Sequence, residues 1–159
     1  MKHLYQKPGE QKCLTYCCAL LLDLPVEIVE NMIGHDGMEV LWPERSGNEK
    51  YRGIHIQEIQ DVFISYGKCL YCVEQFPYLS PVNDIRFASA VFSPEIATTR
   101  FYTRLIGREG ILIYRNHAKV LDLYGSIYDP SSKEILQINP FMVSSCREAW
   151  LLGEIKSNC

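Results

Sequence analysis

The sequence predicts an α+β protein, with helices that open the chain and an antiparallel sheet near its end, on three observations. Apolar residues fall at helical spacing through much of the chain up to residue 107, the stretch 110–138 breaks into short runs rich in Ile, Leu, Val and Tyr, and turn residues separate those runs. Helices first and strands afterwards is the order of an α+β layer architecture. At 159 residues and 18.3 kDa the chain, 1–159, makes one domain, long enough to bury roughly two thirds of its unfolded surface.

The elements follow in order. Residues 13–22 are continuously apolar or small after the turn-forming Pro8-Gly9 and predict a buried helix. Pro25 suits the first turn of a second helix, whose Ile28, Val29, Met32 and Ile33 share a face and which Gly34 stops. Residues 35–53, with Trp42-Pro43 and Gly47-Asn48 as turn signals, form the longest irregular segment, of the kind that borders sites. A third helix is predicted over 54–66, closed by Gly67, and a strand over 68–76, broken by Pro77 and Pro81. Ser93-Pro94-Glu95 reads as a capped start of a helix ending near Gly107. Strands are then predicted at 110–114, 117–123, 126–129 and 135–138, as a meander; residues 139–156 have mixed periodicity and read as helix or irregular.

Composition excludes several functions. With 47% apolar and 22% charged residues the chain is neither disordered nor fibrous. Sixteen Lys and Arg against 19 Asp and Glu give a net charge of −3, with no basic run, so nucleic acid is not an expected partner. The apolar run 17–22 is far short of the ~20 residues that span a bilayer. No apolar stretch follows the basic residues of MKHLYQKPGEQKCL, and a cytoplasmic protein is expected, although secretion without an N-terminal signal would leave no trace. Seven cysteines, an odd number, favour free thiols over a full disulfide framework.

A cysteine at the start of a helix meets unpaired amides and the positive helix end, both of which favour a thiolate. Cys13 holds that position, whereas Cys17 and Cys18 lie a turn further in, as small hydrophobes. His117 stands where one predicted strand gives way to the next, and Asp129 ends a strand that could lie beside it. A carboxylate on the far imidazole nitrogen is the third member of a nucleophilic triad. Asp122 competes for that role but lies an odd number of residues from His117, which turns it to the opposite face of a strand. His35, His55 and Trp42 border the irregular segment and are secondary candidates for substrate contact; His3 is read as terminal decoration. Cys13, Cys17 and Cys18 with Cys69 and Cys72 offer a zinc reading, but helix and strand placement spreads them apart, so no metal or other cofactor is expected.

Gln6 followed by Cys13 and its helix (QKPGEQKCLTYCCALLLDLP), Asn116-His117-Ala118, and Ile127-Tyr128-Asp129-Pro130 occur in the order found in papain-like cysteine peptidases. The chain resembles that family, in particular the compact bacterial group similar to peptidases that trim bacteriocin leaders; the segment from Gly34-His35-Asp36-Gly37 to Arg52-Gly53-Ile54-His55 also looks like related bacterial and phage proteins. The resemblance implies a papain-like fold, with the nucleophile helix packed against the sheet of residues 110–138 and the cleft between them as the site. It further implies a peptide or protein substrate, Cys13 as nucleophile, His117 as base, Asp129 as orienter and Gln6 as oxyanion donor. Two positions depart from the family pattern. Leu14 follows the nucleophile where the family usually has Gly, and Gln6 lies seven residues upstream where six is commoner. Gln11, two residues before Cys13, is a poorer donor because it cannot easily loop back. The same acyl chemistry would serve a protein glutamine deamidase or transglutaminase, as in similar bacterial toxins, and Leu14 would suit a peptidase-like module that binds peptide without cutting it.

Overall fold

The computed structural model describes residues 4–7, 10–42, 50–75, 94–115 and 117–155. The turn signals Pro8-Gly9, Pro43, Gly47-Asn48, Pro77 and Pro81, with His3, Ser93 and Asn116, lie outside them, as does the side chain of Trp42.

Three helices open the fold. α1 (Cys13–Leu22) is buried along nearly its whole length and ends at Asp23, whose left-handed φ of 55° turns the chain so that the Leu24 amide donates back to the Ala19 carbonyl at 2.9 Å. Pro25 is the N-cap of α2 (Val26–Ile33), one place earlier than the first turn predicted from its fixed φ, and Gly34 caps the other end at φ 88°. α3 (Ile56–Ser65) begins with a capping box between His55 and Glu58. Between α2 and α3 the segment read as irregular contains two short antiparallel strands, β1 (Val40–Trp42) and β2 (Lys50–Tyr51). Their pairing extends to Gly53, whose amide donates to the Gly37 carbonyl at 2.9 Å. Gly37 has φ 73°, and a Cβ there would press against the Gly53 carbonyl at 3.0 Å.

Among the described residues the main sheet has six strands, all antiparallel to their neighbours: β3 (Lys68–Glu74), β4 (Gly110–Ile113), β5 (Ala118–Leu121), β6 (Ser126–Tyr128), β7 (Ile135–Gln137) and β8 (Glu148–Glu154), in the order β3-β8-β4-β5-β6-β7. Two of these strands correct the expectation of a sheet confined to 110–138. β3 joins the same sheet, and the region left as helix or irregular supplies both the short helix α5 (Pro140–Val143) and the interior strand β8. β8 lies between β3 and β4, with Lys68 opposite Glu154 and Gly110 opposite Leu151. Gly110 is required there because a Cβ would collide with the Trp150 carbonyl and the Leu151 backbone.

Alternation along the strands feeds two cores. One face turns Leu70, Ile111, Ala118 and Val120 toward α1, α2 and α3, where Cys17, Cys18, Val29, Ile59 and Phe63 are buried. The other turns Leu112, Leu121, Ile127, Ala149 and Leu151 toward Phe101 and Leu105 of α4 (Pro94–Leu105) and Val143 of α5. Truncating a fully buried ring such as Phe63 typically costs about 3–5 kcal/mol, so each layer is anchored by a few large side chains. α1 packs on β5, and this contact brings the start of the helix to the strand that His117 leads into. Among the described residues no helix is long and apolar enough to cross a membrane.

Candidate active site

The N-terminus of α1 opens into a cleft of about 550 Å³ lined by Gln6, Glu10, Gln11, Cys13, Leu14, Gly53, Ile54 and His117. Cys13 is the first residue of the helix, and Lys12, its N-cap, makes no side-chain cap to the first-turn amides. The Lys12 ammonium is turned aside to Glu30 (2.8 Å) and Asp36 (3.4 Å), tying the start of α1 to α2 and the loop behind it. Gln6 is held from the opposite side, its amide donating to the Pro130 carbonyl at 2.8 Å in the turn that follows β6. Its side-chain Oε1 is buried and has no hydrogen-bond partner. Glu10 shapes this rim of the cleft: Oε2 accepts from the Lys7 amide at 2.8 Å and the Tyr16 hydroxyl at 3.1 Å.

His117 sits at the foot of β5, where its carbonyl accepts from the Tyr114 amide at 2.8 Å to close the β4–β5 hairpin. Its Nε2 donates to Asp129 Oδ1 at 2.6 Å, which leaves Nδ1 as the nitrogen available to a second partner. Cys13 lines the same cleft as the ring and is the largest cause of its pKa lying above the ordinary 6.5; burial works against the charge, and Asp129 adds to it. Cys13, His117 and Asp129 are thus brought together at one end of the sheet, and Gln6 reaches the same cleft.

Asp129 is an Asx turn as well as a partner for histidine. Ser131 donates to Oδ1 through its amide (2.9 Å) and its hydroxyl (2.7 Å), and Lys119 donates to Oδ2 at 3.0 Å. Burial alone would raise this carboxyl, but Ser131, His117 and Lys119 outweigh it and hold the group far below the usual carboxylate range. The reason Asp122 stays out of the site is visible in its contacts: Oδ1 accepts from the Tyr124 amide at 2.9 Å and the Ser126 amide at 2.8 Å, and Oδ2 from the Tyr128 hydroxyl at 3.1 Å. It is the clasp of the β5–β6 turn. Gln11 also lines the cleft, between Glu10 and the helix start.

The secondary candidates take structural places. His35 donates from Nε2 to Glu58 Oε1 at 2.7 Å and accepts the Gly37 amide at Nδ1 at 3.1 Å, so both ring nitrogens are engaged within the loop. His55 is the N-cap of α3, and its amide donates to Glu58 Oε2 at 2.8 Å. Cys17 and Cys18 are buried in the first core, and burial pushes the Cys17 thiol well above its ordinary value and Cys18 up to about 12. Cys69 packs near Gly153, and Cys72 is exposed, 3.9 Å from Glu148. Among the described residues the one group of three ligand atoms close enough to share a metal ion is Cys72, Glu74 and Glu148, which draws on only one of the five cysteines weighed for zinc.

Two residues of the site escaped the sequence reading. Lys119 follows His117 by two positions and so shares its side of the strand, a signal that was available; its carboxylate partner was not. Ser131 could have been found from the Asp129-Pro130-Ser131 turn, in which an aspartate accepts from the amide two residues on. Compared with protein-family models and with the curated proteins, the chain matches none of them.

Proposed function

We propose that the protein is a cysteine hydrolase that cleaves a peptide or isopeptide bond through an acyl-thioester, on a papain-like arrangement of nucleophile helix against sheet. One observation carries the reading: a cysteine at an uncapped helix start and a histidine already bonded to a carboxylate at 2.6 Å face each other across an open cleft. The chemistry then runs in two halves. The Cys13 sulfur, its proton on His117, adds to the substrate carbonyl, and the developing oxyanion meets the Cys13 amide and the Gln6 side-chain NH2. The imidazolium gives its proton to the departing nitrogen as the C–N bond breaks. Water then loses a proton to His117 while its oxygen adds to the thioester, and the carboxylic acid leaves with the thiol restored. Asp129 holds the ring's tautomer throughout.

Intact-mass kinetics with iodoacetamide at neutral pH test the first half. Cys13 is expected to alkylate at least about tenfold faster than N-acetylcysteine and to lose that advantage in His117→Ala. Equal rates, or no effect of His117→Ala, would remove the nucleophile. With a candidate protein substrate, new termini identify a peptidase, whereas ammonia release without chain cleavage identifies the deamidase alternative. Binding without either product identifies the non-catalytic module.

A further inference from the structure

A cation stands beside the triad that the reaction scheme leaves without a task. One step beyond the Val120–Tyr128 pair of the β5–β6 ladder, Lys119 and Asp129 come side by side, with Nζ 3.0 Å from Oδ2. The Tyr114 ring lies 5.4 Å from the same ammonium, so the lysine is braced on two sides. The two carboxylate oxygens have separate duties: Oδ1 serves His117 and Ser131, and Oδ2 serves Lys119.

Charge counting shows where this matters. In the thiolate–imidazolium form from which the proposed attack starts, the four groups Cys13, His117, Asp129 and Lys119 sum to zero. Once the sulfur becomes a neutral thioester, an imidazolium kept beside Asp129 and Lys119 leaves the cluster with one positive charge in excess, and loss of the ring proton restores neutrality. With Lys119 replaced by a neutral residue, imidazolium and carboxylate would balance each other and the ring would retain its proton at the moment when a base is needed. Among the described residues, the Glu10 carboxylate on the rim of the cleft accepts from the Lys7 amide and the Tyr16 hydroxyl and is common to every variant compared, and the groups nearest the cluster do not replace the charge of the lysine. Cys17 of α1 is kept as a neutral thiol by burial, Tyr114 at the end of β4 is a neutral phenol whose pKa burial raises, and Ser131 donates hydrogen bonds only.

We propose that Lys119 is a positioning residue for the second half of the reaction: by sharing the Asp129 carboxylate it frees His117 to deprotonate water once Cys13 is acylated. The inference rests on the hydrolase reading, but its test does not need a substrate. Capping Cys13 with methyl methanethiosulfonate puts a neutral sulfur where the thioester would be, and the His117 ring is then titrated by NMR in the wild-type, Lys119→Met, Lys119→Gln and Lys119→Arg proteins. Both neutral variants are expected to titrate about 0.5–1 pH unit above wild type, and Lys119→Arg to stay close to wild type. The same titration in all four proteins, or a Lys119→Arg shift as large as that of Lys119→Met, would overturn the proposal. Failure of the hydrolase reading shows elsewhere, as alkylation of uncapped Cys13 that ignores His117, and is thereby told apart from failure at Lys119.

Discussion

Two histidine–carboxylate pairs stand among the described residues, and one of them shares a cleft with the cysteine that starts α1. His117 and Asp129 are 2.6 Å apart, His35 and Glu58 2.7 Å. Each carboxylate also takes a backbone amide, from Ser131 at 2.9 Å and from His55 at 2.8 Å, and each has a cation nearby, Lys119 at 3.0 Å and Arg52 at 3.9 Å. The difference lies at the other ring nitrogen. In His35 it accepts the Gly37 amide and the ring is used up holding a loop to a helix; in His117 it is not the nitrogen that Asp129 takes, and the ring lines the cleft together with Cys13. A short histidine–carboxylate bond therefore does not mark a catalytic site by itself. What the remaining nitrogen meets decides.

The largest test of that contrast is to remove each ring. Cys13→Ala and His117→Ala are expected to lower turnover by about a thousandfold or more, while His35→Ala leaves turnover within a few-fold; hydrolysis of a responsive substrate compares them directly, and a His35 variant as dead as His117→Ala would erase the distinction. Next come the carboxylates. Asp129→Asn should cost roughly a hundredfold or more in kcat, because the ring loses its fixed tautomer. Glu58→Gln should instead lower stability by about 1–3 kcal/mol in urea unfolding, since one amide oxygen cannot replace both carboxylate oxygens that accept from His35 and the His55 amide, with kcat nearly intact. Gln6→Ala sharpens the picture on the substrate side: a loss of about a hundredfold in kcat with little change in KM would identify an interaction made in the transition state.

The smallest effects are in stability against pH. The His117 pKa is raised, first by Cys13 and then by Asp129, so the stabilisation from its charge is complete below the ordinary 6.5 and fades as pH rises through the folded value. Cys13→Ala should narrow that window. Asp129 and Glu58 are both lowered, against the effect of burial, by Ser131 and His117 in the first case and by the His55 amide and His35 in the second. Their stabilisation is present above the ordinary carboxylate range and is lost as pH falls through their folded values. Thermal unfolding scanned over pH should show acid sensitivity relieved in both carboxylate variants. An alkaline loss, of at most about 1 kcal/mol for so partly exposed a ring, should be tied to His117.

Much of this was legible in the residues because local chemistry and fold agree. Helix α1 announces itself by an unbroken apolar run, α2 and α3 by apolar spacing and by Gly34 and Gly67, and parity along a strand argues against Asp122. β8 was hidden because an interior strand is covered on both faces. Ala149 and Leu151 feed one core while Trp150 and Leu152 pack on the other, so the alternation that marks a strand is absent. β1 and β2 were hidden by brevity, being three and two residues long. In the site, the order of Cys13, His117 and Asp129 could be read along the chain. The sharing of Asp129 with Lys119 depends on the register of β5 against β6, which no local pattern states.

That interior strand also sets a schedule. During synthesis on the ribosome, Cys13 emerges early and His117 well before residues 148–154, yet β3 and the β4–β5 hairpin have no common neighbour until β8 slides between them. Closing so long a loop is slow compared with forming a helix. A nascent chain thus holds β3 and the β4–β5 hairpin as separate pieces, and they become one sheet only when β8 is in place.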